Sequence, residues 1–328
     1  MPPEWLPHER CWMAWPCRDA LWGEHLRAAR KAYAAVAQAI AEFEPVTMIA
    51  RSDLAADASL LCGNGVSVLT LDQDDSWMRD VGPTFVTGPD NALGGIDWRY
   101  DGYGGSTPDI AQDVVIAKAI CERLDIPRFE APITAEGGGI HVDGEGTCLV
   151  CTGSLLDPRR NPGLNLEDAE QCLMDYLGVT SVIWLQQGLI DDDTGGHVDN
   201  LSCFAEPGLA LALVSGNADD PNAPILSANL EQLRAAKDAH GRSLEIIEVQ
   251  APAPRRFKDG RWQSLSYLNF YLANDAVIMP CFSDPADNAA FRAVAKAFPS
   301  RTMVDVEAST LVLGGGGIHC ITQQQPVV

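Results

Sequence analysis

In three stretches of this 328-residue chain glycines precede a histidine and an Asp or Cys follows it closely. They are "EGGGIHVDG" (Glu136 to Gly144), "TGGHVDN" (Thr194 to Asn200) and "GGGGIHC" (Gly314 to Cys320). An imidazole moves protons near neutral pH and a thiolate attacks carbon electrophiles, so these residue pairs are equipped for acid-base or nucleophilic catalysis. The glycines permit close backbone approach, which lets the following polar side chain be presented at a ligand. Histidines stand at 141, 197 and 319, so the first gap is 56 residues and the second, 122, is close to twice a unit. One step back from His141 reaches Asp80 in "DDSWMRDVGP", and one step forward from His197 reaches "SYLNF", Ser266 to Phe270. The spacing predicts five units of about 60 residues.

On a five-fold arrangement Asp80, Glu136, His197, Asp199 and Cys320 converge, although up to 240 positions separate them. Singly, such an Asp is more often an ion-pair partner and such a Cys a small buried apolar residue; the common period argues for a shared site. A zinc site could draw on His141, His197 and His319, but there is no HExxH and no Cys pair at ligand spacing, so no metal is expected. A carboxylate pair could hydrolyse glycosides, yet that leaves Cys320 and its glycines idle. A Cys nucleophile with a His proton shuttle uses every part. Carboxylates around that thiol would repel an anionic substrate and would hold a planar cation through paired charge-assisted hydrogen bonds. A guanidinium meets both demands.

The composition agrees. Twenty-three basic against 45 acidic residues give a net charge of −22, which disfavours a nucleic-acid partner and suits a small cationic one. No apolar run is long enough to span a membrane and the first residues do not resemble a secretory leader, so a cytoplasmic location is expected. The ten cysteines read as reduced thiols; in the one CxxC, strand alternation aims Cys148 and Cys151 at opposite faces. A homo-oligomer is compatible with the sequence, which does not specify one.

Positioning the site requires repeated strand-and-helix modules. Leu26, Ala29, Tyr33, Val36, Ile40 and Phe43 recur at helical spacing, in a helix predicted from Gly23 onward. Similar stretches start near Asp109, Asn165, Ile225 and Pro285, with Asn165 as a cap and Gly178 and Gly241 as stops. Between them "GVSVLTL", "GTCLVCTG", "VTSVIWL", "LALALV" and "DAVIMP" read as strands. The long gap before Asp109 implies an extra element, a helix over "DLAADASLLC". Five α/β modules closing around an axis gather their irregular loops at one end. Two ordinary α/β domains are the competing architecture, but no linker divides the chain, so residues 1–328 are expected to be one catalytic domain.

These motifs, with "PPEWLPHERCWMAWP", "SYLNFYLAN" and "GGIHCITQQQP", resemble the agmatine deiminases of the Porphyromonas-type peptidyl-arginine deiminase family, in the guanidino-group-modifying superfamily. The resemblance covers essentially the whole chain. It implies a five-bladed pseudo-symmetric α/β propeller of the pentein type, no metal or organic cofactor, and hydrolysis of agmatine to N-carbamoylputrescine and ammonia. By position, it implies Cys320 as nucleophile, His197 as acid and base, Asp80 and Asp199 gripping the guanidinium with Glu136 beside them, and Trp77 lining the pocket. Asp193 is the candidate for the distal amine. Gly317, Gly139 and Gly195 stand where the pattern has Asn, Ser, and Asn or Asp, and "YDGYGG" (Tyr100 to Gly105) replaces Phe-Asn-Ala-Trp-Gly-Gly. No catalytic group is lost by these departures. The alternatives are a deiminase of arginine or peptidyl arginine, and a catalytically silent binder of cationic amines.

Overall fold

Short apolar runs alternating with amphipathic helices build five small sheets in the computed structural model, which describes residues 1–328. The strands are β1 (His8–Ala14), β2 (Val46–Ala50), β3 (Val66–Thr70), β4 (Thr84–Thr87), β5 (Leu93–Arg99), β6 (Arg128–Thr134), β7 (Ile140–Val142) and β8 (Thr147–Cys151). They continue as β9 (Ser181–Leu185), β10 (Ser202–Glu206), β11 (Leu209–Val214), β12 (Glu245–Gln250), β13 (Tyr271–Ala273), β14 (Ala276–Cys281), β15 (Thr302–Glu307) and β16 (Thr322–Pro326). Four sheets share one pattern: β4-β5-β6, β7-β8-β9, β10-β11-β12 and β13-β14-β15 each open with an antiparallel hairpin and add a parallel third strand. A crossover helix precedes that third strand, as a parallel pair requires. These helices are α3 (Ile116–Leu124), α4 (Leu166–Leu177), α5 (Ala223–Ala235) and α6 (Asp287–Ala297), after α1 (Leu26–Ala41) and α2 (Ala55–Cys62).

The fifth sheet closes the molecule on itself. β16 pairs antiparallel with β1 in a register that sets Trp12 opposite Gln323 and Met13 opposite Thr322, and β2 then adds in parallel after α1. The extra element expected before Asp109 is α2 followed by a fourth strand, β3, parallel to β2. The mixed α/β architecture of five repeated units is therefore the one expected. Every unit begins in an irregular loop ahead of its first strand, and Asp80, Glu136, His197 and Cys320 all lie no more than five residues upstream of β4, β7, β10 and β16.

The apolar positions of α1 face inward: Ala29, Tyr33, Val36, Ala37 and Ile40 are buried. They belong to a cluster of 61 buried residues that extends from β1 to Ile321, whereas a separate cluster of 15 packs β6 to β9 around α4. Cys148 lies in the smaller cluster and Cys151 in the larger, so the two thiols do face opposite sides of β8. All ten cysteines are free.

Helix boundaries depart from expectation at three ends. α3 begins at Ile116 rather than Asp109, because Asp109 is left-handed (φ 56°) and Asp113 to Val115 form a separate tight turn. α1 likewise begins at Leu26, after a tight turn over Gly23 to His25. α5 stops at Ala235, where Ala236 turns extended, and Gly241 belongs to a turn ordered by Asp238, whose carboxylate accepts from the His240 and Arg242 amides. The α4 boundaries hold. The Asn165 side chain accepts from the Asp168 amide, and Gly178 ends the helix in the left-handed conformation (φ 71°).

A Cβ at Gly178 would meet no atom within 4 Å, so Gly178→Ala isolates the backbone cost. It is expected to lower stability by about 1–2 kcal/mol, the penalty for a left-handed L-residue, read as a lower urea midpoint with unchanged turnover.

Candidate active site

The loops ahead of the strands bring five acid, base and thiol side chains to one buried point. Asp80 sits on a single helical turn, Met78–Val81, pinned because the Arg79 amide donates to the Cys320 carbonyl at 3.1 Å. Glu136 precedes the tight turn Gly137–Gly139, whose Gly138 amide donates to Asp80 Oδ1 at 3.0 Å. His197 and Asp199 flank Val198 at the turn Val198–Asn200. All five groups are buried, Cys320 at 4% and His197 at 0% exposure.

The four glycines before Ile318 are explained by what surrounds them. A Cβ at Gly314 would lie 2.3 Å from the Trp22 ring, at Gly316 2.5 Å from the Trp77 ring, and at Gly317 2.4 Å from Asn269 Oδ1. Gly315 takes a φ of 101°. The backbone thus passes between two stacked indoles and an amide to deliver Cys320, and no side chain fits on the way. The same crowding accounts for Gly317 in a position where a longer residue would have to displace Asn269.

Around the sulfur, Asn269 Nδ2 donates to Sγ at 3.2 Å, and Asp199 Oδ2 and Asn269 Oδ1 each lie 3.5 Å away. The Asn269 carbonyl oxygen also accepts from the His319 amide at 2.9 Å. His197 Nε2 lies 3.3 Å from Glu136 Oε2 and its Nδ1 lies 3.7 Å from Asp80 Oδ1. The other Glu136 oxygen takes Arg160 Nε at 2.8 Å, and Arg160 Nη2 donates to the Thr194 carbonyl, so Glu136 is held from both sides. Asp80 Oδ2 accepts the Tyr103 hydroxyl at 2.8 Å. Two buried polar atoms in this ring have no hydrogen-bond partner, His197 Nδ1 and Asp199 Oδ1. A buried lone pair or N–H left unmet costs free energy, and in a site that is repaid when a ligand arrives.

Electrostatics assign the resting protons. Burial disfavours the His197 imidazolium, but Asp80, Glu136 and Asp199 overcome it and push its pKa up to about 9. Burial drives the Cys320 thiol well above its ordinary value, and the Asp199 and Asp80 carboxylates drive it the same way. Glu136 and Asp199 end below the usual carboxylate range despite burial, through His197 and Arg160 for the first and His319 and His197 for the second. Asp80 is raised, chiefly by burial and then by its acidic neighbours, with His197 opposing. The empty site therefore holds a thiol beside an imidazolium.

A cavity of about 240 Å³ leads to Cys320. Trp77, Asp80 and Tyr103 line it. Asp193 stands at its mouth rather than in its depth: its side chain is 60% exposed and pairs with Arg261 Nη1 at 3.1 Å. Arg18 lines the same cavity, bound to the buried Asp75 at 2.9 Å, so the mouth is mixed in charge rather than purely acidic. A larger cleft of about 920 Å³, beside Val86, Phe129 and Tyr176, carries no His or Cys and no such cluster. No three His, Cys, Asp or Glu side chains are arranged to hold a metal ion.

Several members of the site escaped the sequence reading. Asn269 lies in "SYLNF", the place where the period requires a copy; an amide carries no titratable signal, so the place was legible and the residue was not. Tyr103 lies in the departing "YDGYGG" segment, itself left-handed (φ 59°). Glu4 and Arg160 fall outside the period, and no spacing could have found them; Arg79 lies beside Asp80 in "DDSWMRDVGP", but its contact with Glu4 is not encoded by spacing.

The family described as Porphyromonas-type peptidyl-arginine deiminase matches residues 1–326. A Legionella pneumophila protein is 44% identical over 99% of this chain and 94% of its own length. The agmatine deiminase of Stutzerimonas stutzeri is 40% identical, covering 99% of this chain and 95% of its own. A solved structure of the agmatine deiminase of Enterococcus faecalis superposes with a TM-score of 0.95 at 33% identity, over 99% of this chain and 95% of that one.

The resting protonation makes a test. A neutral alkylating reagent should label Cys320 slowly at pH 7 and faster as pH climbs past 8, because only the thiolate reacts and its formation is opposed by burial and by Asp199. A cationic amidine-bearing reagent should react readily near neutrality, since its charge favours the thiolate. Mass spectrometry at Cys320 gives both rates; a neutral reagent titrating with a midpoint below pH 7 would mean that a thiolate and imidazolium pair already waits in the empty site.

Proposed function

We infer that this chain, which belongs to the Porphyromonas-type peptidyl-arginine deiminase family, hydrolyses agmatine to N-carbamoylputrescine and ammonia. One observation carries the chemistry: a buried thiol, 3.5 Å from a carboxylate whose second oxygen is unpartnered, at the end of a narrow cavity. A guanidinium supplies several N–H donors in one plane and meets Asp199 Oδ1 together with the remaining lone pairs of Asp80.

The steps follow from the groups present. As the guanidinium cation arrives the Cys320 thiol gives its proton to solvent, the resulting thiolate forms a bond to the central guanidinium carbon, and the displaced π electrons go to nitrogen. One terminal nitrogen takes a proton from the His197 imidazolium and leaves as ammonia, which produces an S-alkylthiouronium on Cys320. Water then adds to the same carbon as His197, now neutral, accepts its proton. The carbon–sulfur bond breaks as the carbonyl forms, the departing sulfur keeps the electron pair and takes the remaining hydroxyl proton to restore the thiol, and N-carbamoylputrescine departs. Asp80 and Asp199 orient the planar head group and stabilise positive charge on its nitrogens through both additions. Trp77 supplies an apolar wall behind it, stacked on Trp22 at 6.1 Å between ring centroids. The product is one hydrolysis away from putrescine, so the chemistry belongs to polyamine metabolism. Loops from the first to the last sheet contribute, so residues 1–328 act as one catalytic unit. No helix is long and apolar enough to cross a membrane, and a cytoplasmic enzyme, alone or as a homo-oligomer, is consistent with that.

Arg18 and Arg261 at the cavity favour a second reading, in which the substrate is arginine and its α-carboxylate meets these guanidiniums. Each is already paired with an aspartate, Asp75 and Asp193, which argues for agmatine. Asp193 is the proposed partner of the distal ammonium, reached by exchange with Arg261.

Three measurements decide. Cys320→Ser should retain less than about a tenth of wild-type ammonia release from agmatine, because a hydroxyl near neutral pH is a far poorer nucleophile than a thiolate; greater retention would remove covalent catalysis from this residue. Wild-type kcat/KM for agmatine should exceed that for arginine by roughly a hundredfold or more, the scale of leaving an added charged group poorly matched. Equal use of the two would support the arginine reading. Asp193→Asn should raise KM for agmatine while sparing an alkylguanidine without the amine, and equal effects on both would remove Asp193 from amine recognition.

A further inference from the structure

Asp199 is not held by the catalytic histidine alone. Its Oδ2 lies 3.0 Å from Nδ1 of His319, the residue before the nucleophile, and His319 Nε2 lies 2.9 Å from Oε1 of Glu4. Glu4 is 4% exposed, precedes β1, and is the only acid of the buried set that comes from the N-terminal segment. Its carboxylate also meets Arg79 Nη1 at 3.3 Å and His141 Nε2 at 3.8 Å. Because His141 Nδ1 accepts the Phe204 amide at 3.3 Å, the His141 proton is on Nε2 and points toward Glu4.

With Glu4 and Asp199 both ionised, the arrangement has one consistent protonation. A neutral imidazole offers one N–H and one lone pair, but His319 has a carboxylate oxygen at each ring nitrogen, so both nitrogens must donate. A neutral ring would aim a lone pair at one of two buried anions. Glu4 thereby requires His319 to be an imidazolium, and the imidazolium commits Asp199 Oδ2 to the protein while Oδ1 stays unpartnered.

We propose that Glu4 is a positioning residue for the reaction: acting through the His319 imidazolium, it fixes Asp199 as an oriented anion with one oxygen reserved for the substrate cation. The charges facing this relay are complete from every side. Glu4, Asp199 and Arg79 act on His319, His141 approaches Glu4, and the Cys320 thiol, His197, Asp80 and the buried Cys203 thiol face Asp199. Burial and Arg79 oppose the His319 charge, yet Glu4 and Asp199 raise its pKa above the ordinary value. Asp199 and Glu4 both stay below theirs, against burial. Glutamine at position 4 would remove one of the two anions that keep the ring protonated. The amide could then donate to Nε2, leaving a neutral ring and an Asp199 without its ion pair.

The relay rests on the agmatine reading only for the identity of the cation, and its first test is independent of turnover. Nitrogen-15 NMR of the six histidines in the intact wild-type protein at pH 8, with His319 assigned by a His319→Gln sample, should show His319 protonated on both nitrogens. A single-proton His319 there overturns the relay. In Glu4→Gln the same ring should become neutral at pH 8, and Glu4→Asp should restore part of its charge. In a Cys320→Ser background, agmatine affinity measured by calorimetry should fall by roughly ten- to a hundredfold in Glu4→Gln, the range for losing a charge-assisted hydrogen bond, and recover partly in Glu4→Asp. An unchanged affinity in a folded Glu4→Gln protein also overturns it. Should Glu4→Gln fail to fold, the wild-type spectrum still decides. Should no guanidine bind at all, the spectrum decides this relay while the substrate reading falls alone.

Discussion

Charge balance in a buried volume governs the rest of the structure. Glu4, Asp80, Glu136 and Asp199 are all at most 5% exposed, and against them stand the Arg79 and Arg160 guanidiniums and the imidazoles of His197 and His319. With both rings protonated, four negative charges meet four positive ones. A buried carboxylate is tolerated only when paired and hydrogen-bonded, so each position in the set constrains its neighbours. The thiol is left as the neutral member. When a guanidinium enters, the balance gains one positive charge, and the cheapest correction is to lose a proton from Cys320 or His197. Substrate charge and nucleophile activation are in this way one event.

The fold supplies such a cluster by repetition. Each unit offers one irregular loop ahead of its first strand, and five loops meeting at one end contribute Asp80, Glu136, His197 with Asp199, Asn269, and Cys320. The closing pair of β16 with β1 gives the nucleophile's loop the same place in its unit that the other four occupy. Close packing there excludes side chains: a Cβ at Gly138 would lie 2.6 Å from His197 Nδ1 and 2.9 Å from Asp199 Oδ2. The glycines that make the motifs visible in the sequence are thus the residues over which the catalytic groups meet.

That coupling explains what was legible. Glycine followed by a titratable residue at a steady period revealed the five units, the α/β class and most of the ring. α2 and β3 were legible as a helix over "DLAADASLLC" and a strand in "GVSVLTL", but their place in a four-stranded sheet was not, because that sheet takes strands from both ends of the chain. Asn269 went unnamed since its amide has no proton chemistry, although it touches the sulfur. Arg160 holds Glu136 from outside the loops' common register, and Arg79, beside Asp80, reaches Glu4, so their roles depend on distances that no spacing encodes. Asp193 sits in an acidic run, "DDD", and its exposed pairing with Arg261 could not be told from a free solvated charge.

The pH dependence of kcat/KM for agmatine tests the charge-balance account most directly. This parameter reports the free enzyme, which rests as thiol and imidazolium, one proton above the reactive form whichever group gives it up. Below the His197 pKa of about 9 the reactive fraction grows as protons are removed, so kcat/KM should rise with pH from 6 and level off near 9. The slope should be roughly tenfold per pH unit, the signature of one proton lost. A profile flat between pH 6 and 8 would contradict the account, because it would mean that the thiolate exists before the cation arrives.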